Sequence, residues 1–245
     1  MMEALGIDVG GSGIKAAPVD LRTGVRLAKR KRIPTPQPST PNAVFDVIEE
    51  LVGAFDWSGP IGCAIPAIVR SGVAYTAANI DDSWIGCDAR AALTERFRVP
   101  VVVLNDADAA GIAENSFGAA RDLSGVVLLL TLGTGIGSAL FTENVLVPNT
   151  ELGHLEFKGG DAEDYCAARL VDEGLDQQQW AARLNEFLQH VEGVLPPDYF
   201  ILGGGISRNF DDYASVLQTR ATINPAQFRN RAGIIGAALA TGGAQ

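Results

Sequence analysis

The chain has 245 residues, 47% of them hydrophobic and 20% charged, with 19 Lys and Arg against 29 Asp and Glu and a formal net charge of −10. That length is enough to bury a substantial core as one large or two small domains, and the composition excludes a collagen, a disordered tail and a disulfide-stapled mini-protein. An acidic chain is also a poor electrostatic match for duplex DNA or an anionic membrane, both of which need a concentrated basic face.

In chain order, the first forty residues read as a β-meander. Ala4–Val9 is a buried strand ending in Asp8 and a Gly-Gly-Ser-Gly turn, Ile14–Val19 is the return strand, and Val25–Ile33 follows the Thr23-Gly24 turn as a third strand. Pro34, Pro36, Pro38 and Pro41 forbid regular structure until Asn42–Phe55, where Val44, Ile48, Leu51 and Phe55 recur at helical spacing. Ile61–Pro66 is a short apolar strand with Val69–Ala77 as its hairpin partner. Asp88–Phe97 reads as a helix, and the β-branched run Val99–Leu104 as a parallel-type strand with Asn105-Asp106 at its end.

An Ala-rich helix, Ala107–Phe117, leads to a second meander: Val126–Leu132, Ile136–Phe141 and Val145–Val147, with Gly-Thr-Gly-Ile-Gly at the turn. Glu151-Leu152-Gly153-His154 opens an irregular stretch. Helices follow near Asp161–Asp172 and Asp176–Leu195, then a buried strand, Tyr199–Leu202, ending in Gly203-Gly204-Gly205. A Gly/Ala-rich helix, Arg231–Ala240, comes last. Strand, glycine turn, strand therefore occurs twice, each copy followed by more α/β structure. This internal duplication predicts two similar α/β lobes with a cleft between them, residues 1–108 plus 231–245 and residues 109–230.

The N-terminus (MMEALGIDVG) shows no signal-peptide pattern, and the most apolar stretch, Val126–Phe141, is interrupted by three glycines and too short to span a bilayer. Cys63, Cys87 and Cys166 are odd in number and far apart, as expected of reduced thiols in a cytoplasmic protein.

Four groups can carry chemistry. In Asp8-Val9-Gly10-Gly11-Ser12-Gly13-Ile14-Lys15, glycines let backbone N–H groups approach an anion, Asp8 is placed to hold Mg²⁺ directly or through water, and Lys15 adds a positive charge. A plain β-hairpin is the competing explanation. Thr131-Leu132-Gly133-Thr134-Gly135-Ile136-Gly137-Ser138 repeats the layout, and two such turns at equivalent places support each other. Neither is a Walker A loop or a dinucleotide fingerprint, because strands follow the glycines. Asp106, at the carboxyl end of a strand, is placed either to take a proton from an attacking hydroxyl or to cap helix 107–117. Glu151 and His154 are spaced to hydrogen-bond adjacent hydroxyls of one ligand or to sit in a bland exposed loop. No Cys pair accompanies His154, so no zinc site is expected. The run Lys29-Arg30-Lys31-Arg32 alternates faces in a strand and reads as a solvated edge.

Together these pieces resemble the ROK family of sugar kinases, within the actin/hexokinase-like (ribonuclease H-like) superfamily, and are most similar to its bacterial polyphosphate glucokinases. The blocks that carry the resemblance run along essentially the whole chain: GIDVGGSGIKAAPVD, RIPTPQPSTP, TAANIDDSWIGCDAR, VLNDADAAGIAE, LLTLGTGIGSALF, VPNTELGHLEF, LGGGIS and NPAQFRN. The resemblance implies a two-lobed kinase fold with duplicated βββαβαβα lobes and a central cleft. It implies a homodimer that makes glucose 6-phosphate with polyphosphate, and with ATP as a second donor. Asp106 would be the catalytic base, with Asn79, Asn105, Asp106, Glu151, His154 and Glu163 on the sugar. Asp8, Gly10, Gly11, Ser12, Gly13, Lys15, Thr131, Gly133, Thr134, Gly135 and Gly204 would hold the donor, with Mg²⁺ near Asp8. Arg121, Arg208 and Arg229 are further basic groups expected along the donor groove.

The alternatives are an ATP-dependent hexokinase of the family acting on glucose or mannose, a catalytically dead lobe, and a sugar-sensing repressor. The repressors carry a helix-turn-helix before the first glycine turn, for which Asp8 leaves no room; retention of Asp8 and Asp106 speaks against a dead lobe. Departures from the family pattern are Ala67 in place of a glycine in a sugar-lining loop, Asp82 in place of a frequent lysine, and fewer basic residues around Gly159–Asp164 and Arg208-Asn209.

Overall fold

A computed structural model describes residues 2–243. In chain order its main elements begin with β1 (Glu3–Gly10), β2 (Gly13–Asp20), β3 (Lys31–Ile33), α1 (Pro41–Ala54), β4 (Ile61–Ile65), β5 (Val69–Arg70) and β6 (Val73–Ala74). Next come α2 (Ala89–Phe97), β7 (Val101–Asn105), α3 (Asp106–Phe117), β8 (Val126–Leu132), β9 (Ile136–Thr142), β10 (Val145–Val147), β11 (Glu156–Phe157) and β12 (Gly160–Asp161). The chain ends with α4 (Ala162–Cys166), α5 (Arg169–Asp172), α6 (Gln177–Val194), β13 (Tyr199–Gly204), α7 (Phe210–Tyr213), β14 (Thr222–Pro225) and α8 (Ala232–Ala240).

The chain divides into two compact units: one runs from the N-terminus to Phe117 and takes in the chain from Arg231 onward, and the other is Gly118–Asn230. The division after residue 108 expected from sequence would cut α3. The helix stays whole in the first unit because Phe117 packs on Gly24 and Ala109 on Gly236 of α8.

The first unit holds a five-stranded sheet in the order β3-β2-β1-β4-β7. Strands β1, β2 and β3 pair antiparallel, while β1, β4 and β7 run parallel. Strand alternation separates its faces. Leu5, Ile7, Val9, Ile14 and Ala16 pack with Val44, Phe45, Ile48 and Leu51 of α1 in one core. On the other face α8 lies so close that a Cβ on Gly6 or Gly62 would meet the α8 backbone at 1.9 or 1.7 Å. A Cβ on Gly236 would likewise meet the Ala109 carbonyl of α3 at 1.6 Å.

The second unit repeats the order as β10-β9-β8-β13-β14, again with three antiparallel and then parallel strands. Its core gathers Leu128, Leu130, Trp180, Leu184, Phe187, Phe200 and Tyr213. The Trp180 indole N–H donates to the Cys166 carbonyl at 2.9 Å, which satisfies the only polar atom of that buried ring.

Three expectations are corrected. The third strand is only Lys31–Ile33, apart from one bridge at Arg26. Pro18 explains this: its carbonyl accepts from the Leu27 N–H on the side facing the third strand, so its missing donor falls on that side too and breaks the ladder. Residues 69–77 do not pair with β4, whose two edges are taken by β1 and β7; β5 and β6 form their own hairpin. The helix expected over 161–172 is broken into α4 and α5 around Ala167 and Ala168.

Candidate functional site

In the first unit, β1 and β2 meet at the turn Gly11-Ser12. None of Gly10, Gly11 and Gly13 has a left-handed φ, and of the three only Gly13 is crowded, by the Arg32 guanidinium. Asp8 stands opposite Lys15 in the ladder, and their side chains form an ion pair at 3.0 Å on the face covered by α8. Lys15 engages Oδ2 of Asp8 and leaves Oδ1 without a hydrogen-bond partner among the described residues. A Cβ on Gly233, in the first turn of α8, would come within 2.9 Å of that carboxylate.

The proline-rich segment and the Asn79–Trp84 block wall this turn. The Thr35 hydroxyl donates to the Gly10 carbonyl at 2.5 Å. Asn79, in the left-handed conformation at φ 60°, lies over Gly11. Ser39 joins the two segments: its Oγ accepts from the Asp81 N–H at 3.1 Å and its carbonyl from the Trp84 indole at 2.8 Å. Between them is a cavity of about 230 Å³ lined by Gln37, Pro38, Ser39, Asn79, Ile80 and Asp81.

Of the two roles that sequence left open for Asp106, the structure gives helix capping chiefly to its neighbour Asn105. Asn105, buried, accepts from the N–H groups of Ala107 and Asp108 at 2.8 and 3.0 Å, so it caps α3. Its amide donates to the Ala67 carbonyl at 3.1 Å and pins the loop after β4. Asp106 is the first residue of α3, half-buried, with Oδ1 accepting from the Ala107 N–H at 2.9 Å. The registers Asp8–Ala64 and Ala64–Leu104 place Asp8 and Asn105-Asp106 at the same carboxyl end of the parallel strands, two strand spacings or about 10 Å apart. Ala67 is buried without a positive φ, so its methyl group causes no backbone strain.

In the second unit, Glu163 ties the expected residues together. Its Oε2 accepts from the Ile136 N–H at 3.0 Å and lies against Gly135 and Gly153, where added Cβ atoms would approach to 2.4 and 3.2 Å. The loop carrying Glu151 and His154 is also held by Ser138, which donates to the Thr150 carbonyl at 2.7 Å and accepts from the Leu152 N–H at 3.0 Å. Burial pushes the Glu151 carboxyl above its ordinary range; His154 opposes that shift and Glu163 adds to it. His154 Nδ1 lies 2.8 Å from Asp161 Oδ2, and that hydrogen bond raises the imidazole pKa. Thr131 and Leu132 pair with Gly203 and Gly204 across β8 and β13, and Gly133 follows directly. Gly204, at φ 84°, must be glycine: a Cβ would meet the Leu132 carbonyl at 2.0 Å.

The structure thus gathers Asp8, Gly10, Gly11, Ser12, Gly13, Lys15 and Asn79 with Asn105-Asp106 in one unit. It gathers Thr131, Gly133, Thr134, Gly135, Glu151, His154, Glu163 and Gly204 in the other. Arg121, Arg208 and Arg229 are exposed in the second unit. Sequence reasoning gave no site role to Ser138, Asp161, Thr35 or Arg32, because what each does depends on which backbone or side-chain group the fold brings against it.

Among the described residues no group of three or more His, Cys, Asp or Glu is arranged to hold a metal. One carboxylate with a spare oxygen suits Mg²⁺, which keeps waters and takes its other ligands from substrate phosphates, so Asp8 fits that ion.

The ROK family sequence profile matches residues 4–170. The chain is 48% identical over 238 residues to the polyphosphate glucokinase of Mycobacterium tuberculosis, covering 96% of this chain and 90% of that one. It matches the crystal structure of the inorganic polyphosphate/ATP-glucomannokinase of Arthrobacter sp. strain KM with a TM-score of 0.95 and 44% identity over 100% of both chains. A ROK family glucokinase from Streptomyces griseus shares the fold, with a TM-score of 0.82 at 23% identity over 96% of this chain and 98% of that chain. The mixed α/β, two-sheet architecture is that of these sugar kinases, and with the profile spanning more than half of its length the chain belongs to the ROK family.

Proposed function

We propose that this protein is a polyphosphate–glucose phosphotransferase that also accepts ATP. The observation that carries the reading is the 48% identity, over 96% of the chain, to a polyphosphate glucokinase. The glucomannokinase at 44% identity, named for both polyphosphate and ATP, supports the second donor and makes mannose the natural competing sugar.

In the proposed reaction the 6-hydroxyl oxygen of glucose forms a bond to the terminal phosphorus of the donor. The bond from that phosphorus to the bridging oxygen breaks, and the electron pair stays on the shortened polyphosphate or on ADP. Asp106 accepts the hydroxyl proton. Such a transition state is loose, so positioning and charge neutralisation do most of the work. Asn79, Glu151, His154 and Glu163 would orient the sugar. Asn105 supports Asp106 by capping the helix that carries it, and its side-chain groups are already engaged. The two glycine turns, Lys15 and Gly204 would hold the donor. Mg²⁺, held by Asp8 and the donor phosphates, would neutralise their charge. No helix among the described residues is long and apolar enough to cross a membrane; we place the enzyme in the cytoplasm as a homodimer.

The test follows glucose 6-phosphate formation with polyphosphate, ATP and no donor in parallel, and repeats it with mannose as competitor. Activity with polyphosphate is the expected result. Activity with ATP alone would overturn the donor assignment, and none with either donor would overturn the function.

A further inference from the structure

We infer that Arg32 is a ligand for the phosphate chain of the donor, a role that rests on the phosphotransferase reading above. The basic run 29–32 is exposed, with Lys31 and Arg32 on the edge strand β3 as the sequence reading expects, and these two side chains take opposite faces. Lys31 turns to the α1 face, where its ammonium donates to the Ala54 carbonyl and lies 4.7 Å from the centre of the Phe55 ring. Arg32 turns to the opposite face, directly across β2 from Lys15, which is itself directly across from Asp8. Asp8, Lys15 and Arg32 form one row across three strands beside the glycine turn.

The row carries one carboxylate and two cations. Lys15 is paired with Asp8, whereas Arg32 makes no ion pair among the described residues. One Arg32 nitrogen donates to the Ser12 carbonyl at 2.6 Å, which lays the guanidinium over the turn. Gly13 makes room for it, since a Cβ there would fall 2.4 Å from Nε. A guanidinium carries five N–H donors in a planar fork, so most of its donors are left over at the place where the turn would present its own amides.

The second glycine turn shows what an arginine used only as a brace looks like. Arg169 donates to the Thr134 carbonyl at 2.7 Å, in the middle of that turn, but its charge is spent on Asp164 at 2.9 Å and Glu173 at 3.6 Å. Arg32 has the same anchoring bond without the carboxylates. It is positioned by the turn and still charged, the combination that a polyanion requires in a chain of net charge −10.

The experiment compares Arg32→Ala, Arg32→Lys and Lys31→Ala with the parent enzyme, using polyphosphate of defined length and ATP as donors at saturating glucose. Losing a charge-assisted contact predicts that Arg32→Ala raises the KM for polyphosphate about tenfold or more, and that for ATP in the same direction. The effect should fall on donor KM and not on kcat or the glucose KM. Arg32→Lys should recover part of the loss, and Lys31→Ala, which removes the same charge from the opposite face, should leave the donor KM unmoved. A donor KM within twofold of the parent in Arg32→Ala overturns the inference. So does a loss confined to kcat, which would make Arg32 a brace like Arg169, and so does an equal effect of Lys31→Ala, which would make the attraction diffuse. If the parent itself uses neither donor, the phosphotransferase reading falls first and this inference with it.

Discussion

The imidazole of His154 is held at Nδ1 by the Asp161 carboxylate, 2.8 Å away, which leaves Nε2 as the nitrogen that can meet a ligand. Two residues seven apart in sequence thereby set the orientation of a ring that sequence alone left loose. The pair raises the His154 pKa, chiefly through that hydrogen bond. Asp161→Asn should return it toward its ordinary value, followed by NMR of the imidazole Cε1 proton with His190→Gln to assign the two histidines. The group is raised in the folded state, so the stability it contributes is complete below the ordinary histidine pKa and disappears as pH rises through the raised one. The stability gap between parent and Asp161→Asn should therefore close toward alkaline pH. Both side chains are about half exposed, so that gap should stay below about 1 kcal/mol. An unchanged titration would show that the contact is not kept in solution.

Asp106→Asn should lower kcat by about 10²- to 10⁴-fold while leaving glucose affinity and Tm close to parental, because the neutral amide keeps the shape but takes up no proton. Asn105→Ala should behave differently. It removes the α3 cap and the tether to Ala67, costing about 1–2 kcal/mol of stability along with activity. Calorimetry of glucose binding beside turnover separates the two. Near-parental turnover in Asp106→Asn would remove it from the role of base.

Gly236→Ala should cost about 3 kcal/mol or more, since the new methyl group would lie 1.6 Å from the Ala109 carbonyl and drive α8 off α3. Gly53→Ala, in α1 with open space around it, should instead stabilise by about 0.5–1 kcal/mol through its effect on the unfolded chain. Urea denaturation of the two variants measures opposite signs of one chemical change.

Burial pushes the Cys63 and Cys166 thiols up to about 12, and raises Cys87 as well. Neither of the first two should react with a disulfide reagent at pH 8 in the native protein, while the half-buried Cys87 should react slowly; all three should react in denaturant. Fast native labelling of Cys63 would mean that the core strand β4 opens readily.

Most strands and helices were legible because their signals are local: the apolar runs of β1 and β8, the i, i+3, i+4 spacing of α1 and the glycines at both turns. The third strand was overread because the donor missing at Pro18 matters only once a partner is alongside. Strand β14 went unread since Thr-Ile-Asn-Pro is too short and polar to announce itself, and it pairs only along the finished edge of β13. Of the site, Asp8, Asn105-Asp106 and the Glu151–His154 segment were legible as motifs. The capping role of Asn105 was not, because a cap is defined by which N–H groups an oxygen reaches.

By itself, then, the sequence determined a duplicated α/β chain of the ROK type, the two glycine turns and the candidate acid–base group. All of these are patterns of neighbouring residues. The tertiary structure alone decided that Arg32 faces the first turn while Lys31 faces α1, that Asp161 orients His154, and that Glu163 reaches Ile136. The reason is physical: a strand gives each side chain one of two faces, but only pairing and packing determine which distant groups share that face and at what distance. In a chain of net charge −10, the cations that matter are set by that placement and not by their number.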